Sequence, residues 1–523
     1  MVSSDPKDKY KKGKRGVLTI VPGQIDPSDY EMNKETGLAL ARERGGLMVA
    51  EPFIARALTL NGPEADKEVL LSTLALIFKF NGDPHQSADI FSLLSKVHPD
   101  NWTYRKSLCE ALIASGRLDE ASPVLEGVLE EMHESAKKLA AAKGGPVTEI
   151  LTPWDSTVTH FGELALRLDM YLKSRQLGLS PETHAVLSPY HGDIGNKALL
   201  NYWRNAARGQ IEFQIRAKSD GLAKDYDQCL RALDILKIPD GRTANREIAS
   251  LAIQRRWEDE GRPPLLSVSE KDLENGLRWL EARGMPEGGW FVPFHVRSDQ
   301  YWEEYKSTLD ANKYRNADIE NYIPAMEEVV ARGGWVVRLG GPDEPALPDM
   351  KGVIDYAPEK ERADWLDVFF CARARFLVGS ISGPFNVATV FGVPVLGTNW
   401  FPLGYWPLSI RDLFIHKLLL DTNKDRLVSI RDFMKLPMGV HSPQFYEAHG
   451  LEVVQNTSGD IRAAVQEMLD RLDGRFEDGE EDKERVRQYM TLSSVCGIEQ
   501  NARPVAAFLK AHPDLLEEAE GRP

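Results

Sequence analysis

Three short stretches concentrate side chains able to grip an anion. In FHVRSD, His295, Arg297 and Asp299 alternate at the end of an apolar run. Residues two apart on a strand face the same way, so all three can line one wall. A guanidinium grips a phosphate in bidentate fashion, and Asp299 would orient it or accept a sugar hydroxyl. The competing reading is a surface salt bridge beside a core histidine. In VVRLGGPDE a second run delivers Arg338, then Gly340 and Gly341, whose lack of side chains lets backbone approach a ligand; an Arg338 that faces solvent is the alternative. In FLVGSISGPFNVATVFGVPVL a strand runs out at Gly379-Ser380-Ile381-Ser382-Gly383, and Pro384 opens a helix that also carries Asn386. Backbone N–H groups, two hydroxyls and the positive end of a helix dipole converge there, the parts of a diphosphate site. An ordinary strand–helix turn with a serine cap uses the same residues. The stretch is neither a Walker loop nor a GxGxxG fingerprint.

These stretches need strands to hold them. From Trp290 onward short apolar runs without period-two alternation (WFVPFHV, GGWVVRLGG, VIDYA, RFLVGS, VPVLGTNW) are separated by helical patterns, including 318–332. That predicts a parallel sheet buried on both faces. A weaker alternation starts at Ile150, with THAVLSPY as a strand and glycine-containing loops in THFGELAL and YHGDIGNK; 210–285 reads as mostly helical. Two such sheets predict two facing Rossmann-like domains with ligands bound at the carboxyl ends of the strands. Side chains of general-base type stand on the loops at His160, Glu163, His191, Asp193 and Asp299, and their types alone do not rank them. In KYRNADIENY, Asn316 or Asp318 caps the following helix. The loop GTNWFPLGYWPL carries Trp400, Phe401, Tyr405 and Trp406, which either stack on a ring or pack a domain interface.

Of 523 residues, 42% are hydrophobic and 27% charged, a globular composition that excludes a disordered or fibrous chain. A net charge of -15 argues against nucleic-acid binding through the overall field while leaving room for a local basic pocket. Cys109, Cys229, Cys371 and Cys496 are dispersed, without metal-ligand spacing, as expected in a reducing compartment. The basic start is followed only by VLTIVPG, too short for a secretion signal, and no window approaches the roughly 18 apolar residues of a membrane span. The expectation is a cytoplasmic protein, at most peripheral to the inner membrane, whose basic start is a surface contact or a solvated tail. Between 65 and 135 six positions recur at an offset of 34, from Leu74 and Leu108 to Leu94 and Val128, with turn glycines Gly82 and Gly116. Period and order resemble the tetratricopeptide repeat, which would offer a partner surface or cap another domain. The expected division is 1–45 basic tail and N-terminal extension, 46–149 helical region, 150–285 first Rossmann-like domain, 286–480 second Rossmann-like domain, and 481–523 C-terminal helices.

Taken in order, FHVRSD, KYRNADIENYIPAMEEVVARGGWVVRLG, VIDYAPEKERADWLDVFFCARARFLVGSISGPFNVATVFGVPV, NW and DLFIHKLL resemble a family of bacterial glycosyltransferases associated with surface-carbohydrate biosynthesis. FHVRSD is also similar to the first motif of fucosyltransferases that use GDP-fucose, where the arginine holds the donor diphosphate. Ser380–Gly383 is similar to the donor loop of heptosyltransferases, and THFGELAL with Gly162 to their first-sheet loop, although their Asp-Thr before the glycine is missing. The resemblance implies an α/β protein with a GT-B-like pair of Rossmann-like domains behind an α-helical repeat region. It implies metal-independent transfer without a cofactor, from a GDP- or UDP-linked nucleotide-sugar to a glycan or protein, of hexosyl or fucosyl type. Together, residues and resemblance assign catalysis to Arg297, Asp299, His191 and Glu163. Donor binding falls to His295, Arg297, Arg338, Gly340, Ser380, Ser382, Gly383 and Asn386. Gly162, Tyr314, Arg315, Asn316 and Asp318 form a donor- or acceptor-facing loop set. The helical repeats add a site for a protein partner. The alternative is a non-catalytic repeat scaffold whose α/β part binds a nucleotide or has degenerated.

Overall fold

The computed structural model describes residues 10–12, 18–20, 26–42, 47–151, 156–181, 183, 184–187, 194–214, 230–231, 234–298, 313–342, 344–436 and 443–517. The chain opens with stacked helices, α1 (Tyr30–Arg42), α2 (Leu47–Thr59), α3 (Glu64–Phe80), α4 (Pro84–Val97), α5 (Trp102–Ala114) and α6 (Leu118–Lys143). The 34-residue offset becomes two successive helical hairpins, α3–α4 and α5–α6. Their turn glycines, Gly82 and Gly116, take φ of 88° and 76°, a region that favours glycine. Helix α1 lies within the segment expected as an extension and packs on α2 and α3. Leu70, Leu74 and Ile77 of α3 join a small core with Phe53 and Ile54 of α2. Helices α4–α6 instead share the main core of the α/β part, so this layer caps its neighbour.

The first sheet is parallel, in the order β3 (Ile211–Phe213), β2 (His184–Leu187), β1 (Thr148–Leu151), β4 (Leu230–Arg231). Helix α7 (Phe161–Gln176) follows β1 and α8 (Lys197–Ala206) follows β2. The 210–285 stretch is less helical than its sequence suggests. It holds β3, β4 and a hairpin of Ile235–Lys237 with Thr243–Asn245 before α9 (Arg246–Asp259) and α10 (Glu270–Glu281). Strands of two or three residues are too short to show a period. The hairpin docks on α6, where the Ser122 hydroxyl accepts the Thr243 N–H at 2.7 Å and Lys237 pairs with Glu126 at 2.6 Å.

The second sheet has seven parallel strands in the order β7 (Val353–Asp355), β6 (Trp335–Leu339), β5 (Phe291–His295), β8 (Leu377–Gly379), β9 (Val395–Trp400), β10 (Leu413–His416), β11 (Arg503–Pro504). Chain direction across the sheet reverses between β5 and β8, which leaves a crevice beyond their carboxyl ends. Both faces are covered, by α11 (Ile323–Ala331), α12 (Asp364–Arg373), α13 (Gly383–Val390) and α14 (Ser458–Leu472) among others. The expected C-terminal helices include α15 (Glu480–Leu492), but the chain then returns to the sheet as β11, a two-residue edge strand ending in proline that no pattern announces. Two parallel α/β units behind a helical layer is the architecture expected. Among the described residues, no helix is long and apolar enough to cross a membrane.

Candidate functional site

A cleft of about 1250 Å³ runs between the two sheets. Its second-domain wall is the crevice at the β5–β8 switch point. His295 ends β5 and Arg297 follows it; the loop after β8 answers them across the crevice. The Ser380 N–H donates to the His295 carbonyl at 3.3 Å, and the buried Ser380 hydroxyl accepts the Arg297 N–H at 3.4 Å. The Ser382 hydroxyl lies 2.9 Å from His295 Nδ1. Arg315, further along the same β5–α11 connection as Arg297, donates to the Ile381 carbonyl at 2.8 Å. Burial, with Arg297, Arg338 and Arg362 nearby, pushes the His295 imidazole down to about 4, so it is neutral at physiological pH. Burial also lowers Arg315.

The first-domain wall is the start of α7 with His160, Phe161 and Gly162, backed by Arg167 and by Arg246 at the start of α9. Glu163 receives the Arg167 Nε–H at 2.6 Å and also pairs with Arg246. Burial raises the Glu163 carboxyl, but the two guanidiniums outweigh it and hold the group below its ordinary range. A carboxylate tied down in this way is a poor general base. It organises the wall instead, together with Asp234, which pairs with Arg167 at 3.0 Å.

The two walls meet through backbone. A Cβ at Gly162 would lie 2.6 Å from Gly383 Cα, and one at Gly383 would lie 3.0 Å from Gly162 N. Both glycines are therefore needed for the close approach of the N-termini of α7 and α13. Asn386 crosses the same contact, its Nδ2 donating to the Gly162 carbonyl at 3.2 Å, and its buried Oδ1 has no protein partner. A second crossing lies beside it, where Asp364 of α12 accepts the Lys197 N–H of α8 at 2.7 Å.

His295, Arg297, Gly340, Ser382, Gly383, Asn386, Arg315, Gly162 and Glu163 all line this cleft, as do His160, Tyr405 and Trp406. Several expected site residues do not. Arg338 is buried and does not line it. Asp355 stands in register with it on β7, and its Nη1 donates to Asp355 at 3.2 Å and to the Pro345 carbonyl at 2.6 Å, with Glu344 at 3.3 Å from Nη2. Those contacts consume the fork expected to hold phosphate. Ser380 braces the Arg297 backbone from within. Tyr314 is packed against Phe401 and Tyr446. The Asn316 carbonyl accepts Lys417 Nζ at 2.5 Å, and the Asp318 side chain caps the Glu320 N–H at 3.0 Å. Trp400 and Phe401 are core residues. Asp299, His191 and Asp193 lie outside the described residues.

Arg246, Arg362 and Asp367 are among the cleft residues that went unmarked in the sequence. Arg362 bonds the Gly340 and Ala357 carbonyls, the latter at 3.1 Å. Asp367 also lines the cleft, its carboxyl pushed up to about 6 by burial. Both sit in a run of charges, PEKERADWLD, that looks like any solvated loop and helix start. Among the described residues, no three His, Cys, Asp or Glu side chains gather closely enough to hold a metal ion.

No family model and no curated protein matches the chain. Among solved structures it is similar to a glycosyl transferase of family 9 from Veillonella parvula DSM 2008, at 11% identity and a TM-score of 0.33, over 62% of this chain and 96% of that one. It is also similar to the bacterial iron-containing dodecameric glycosyltransferase TibC from enterotoxigenic E. coli H10407, at 10% identity and a TM-score of 0.31, over 62% of this chain and 76% of that one. Superpositions this loose place no constraint on the chain's chemistry.

Proposed function

We propose that the chain is a glycosyltransferase that moves a sugar from a nucleotide-sugar to a glycan or protein acceptor. The observation that carries this reading is the crevice at the β5–β8 switch point. There, Arg297, Arg315, Ser382 and the N-terminus of α13 line one cleft large enough for a nucleotide and a sugar ring, with Arg315 bonded to the Ile381 carbonyl and the Arg297 N–H to Ser380 Oγ. Departure of a nucleoside diphosphate builds negative charge, and preoriented cations and helix N–H groups are what stabilise it without a metal. Metal independence is part of the proposal. The acceptor would enter along the α7 wall, where Tyr405 lines the cleft near Glu163 and Arg246.

The test is turnover of nucleotide-sugars by the full chain, with and without excess EDTA. Transfer or slow donor hydrolysis retained in EDTA supports the proposal. Loss in EDTA rescued by manganese or magnesium overturns its metal independence, and no turnover of any nucleotide-sugar favours the scaffold alternative.

A further inference from the structure

Ser382 Oγ lies 2.9 Å from His295 Nδ1 and 3.0 Å from the Ser380 carbonyl oxygen. A carbonyl only accepts, and a hydroxyl has one hydrogen. Both contacts are satisfied when Ser382 donates to the Ser380 carbonyl and His295 donates its Nδ1–H to Ser382 Oγ. The neutral ring then carries a bare Nε2. His295 lines the cleft, and among the described residues the ring's hydrogen bond is the one at Nδ1. Among the described residues, the charged groups acting most on the ring are Arg297 on its own strand end, Arg338 on β6 with its partners Glu344 and Asp355, and Arg362 ahead of α12; the first turn of α13 carries no acidic residue.

A bare Nε2 is a mismatch for a phosphate oxygen, because both are acceptors. We propose that His295 is a proton-coupled ligand of the donor's diphosphate: the anion binds together with one proton, which settles on Nε2 and turns that atom from acceptor to donor. The proton comes from solvent, and no other bond forms or breaks. The anion supplies a charge opposite to the protonated ring and offsets the arginines that oppose its protonation. The inference rests on the glycosyltransferase reading only for the identity of the anion. It goes beyond that reading in making donor affinity fall as pH rises, since the bound state holds more protons.

The tautomer and the coupling are both visible by nitrogen NMR of the full chain labelled at histidine, with His295→Gln assigning the signal. Sulfate is the first probe, a tetrahedral dianion that does not itself titrate near neutrality; UDP-glucose and GDP-mannose are the second. In chloride the expected signals are a protonated Nδ1 and a bare Nε2, with no titration above about pH 5. Sulfate should raise the titration by about 1–3 pH units. Ser382→Ala, which removes the Nδ1–H acceptor, should let the Nε2–H tautomer appear. A parent ring protonated at Nε2, or a titration unmoved by sulfate at about 0.1 M and by both nucleotide-sugars, overturns the inference. If sulfate moves the titration but no nucleotide-sugar binds, the proton coupling stands and the proposed function fails. If a nucleotide-sugar binds and the ring does not respond, the reverse holds.

Discussion

Arg297 carries the largest expected effect of any single side chain on donor binding. Hydrogen bonds to charged groups contribute about 1.5–3 kcal/mol each. Arg297→Ala should therefore weaken nucleotide-sugar binding at least about tenfold in calorimetry, and Arg297→Lys should recover only part of it, because an ammonium lacks the planar fork. Ser382→Ala should change donor affinity less, because the one hydrogen of its hydroxyl is already given to the Ser380 carbonyl. Arg338 gives the contrast. It is locked to Asp355 and the Pro345 carbonyl, so Arg338→Met should lower the melting temperature by leaving Asp355 without its ion-pair partner, only the Leu347 N–H remaining on it, with any change in donor affinity following from that. The sequence marks both arginines alike, since each ends an apolar run. What separates them is Asp355, which becomes a partner only through strand register. Arg362 and Asp367 were illegible for the converse reason: nothing local distinguishes a charge facing a cleft from one facing bulk water.

At the scale of elements, the decisive feature is the meeting of α7 and α13 at two glycines. Gly383 is legible in the sequence as a glycine at a helix start, but its use is not; it admits the other domain's backbone, which lies 224 residues away at the Gly162–Asn386 hydrogen bond. Gly162→Ala should force the walls apart and cost about 1–3 kcal/mol of stability. Scattering should then show a more open particle, while Ala at Gly341, where nothing stands near the added carbon, should leave both measurements unchanged. Strands β5–β9 of the second sheet were readable because each lies in a short apolar run flanked by helical spacing. Strands β3, β4 and β11 were not, because two or three residues outside such a run show no pattern. The 34-residue offset was readable as hairpins, and the structure adds α1 ahead of them.

For the whole molecule, continuity of the core sets the limits on dissection. Leu112, Leu125 and Val128 of the helical layer belong to the same core as the strands of both sheets, so a chain lacking residues 1–145 should expose apolar surface and aggregate. Acid sensitivity is a second molecular property. His416 is fully buried among Phe433, Tyr489 and Phe508, and burial pushes its ring down to about 4 from 6.5. A group with a lowered folded value takes up protons first in the unfolded chain. Its contribution is thus complete above about pH 6.5 and is lost as pH falls toward 4, a loss of about 3 kcal/mol. Asp412, raised to about 7 by burial, acts with the opposite sign, its contribution fading as pH rises from about 4 to 7. His416→Phe should accordingly flatten the loss of stability between pH 6.5 and 4.5 in denaturant titrations, and Asp412→Asn should steepen it.

The measurement that bears most directly on the central claim is calorimetric binding of a panel of nucleotide-sugars to the full chain and to Arg297→Ala, both in excess EDTA and with circular dichroism confirming the fold. The account predicts that at least one nucleotide-sugar binds the parent without metal and that Arg297→Ala weakens it at least about tenfold. A folded Arg297→Ala that binds the same nucleotide-sugar as tightly as the parent would contradict it, because the diphosphate would then not lie at the β5–β8 crevice.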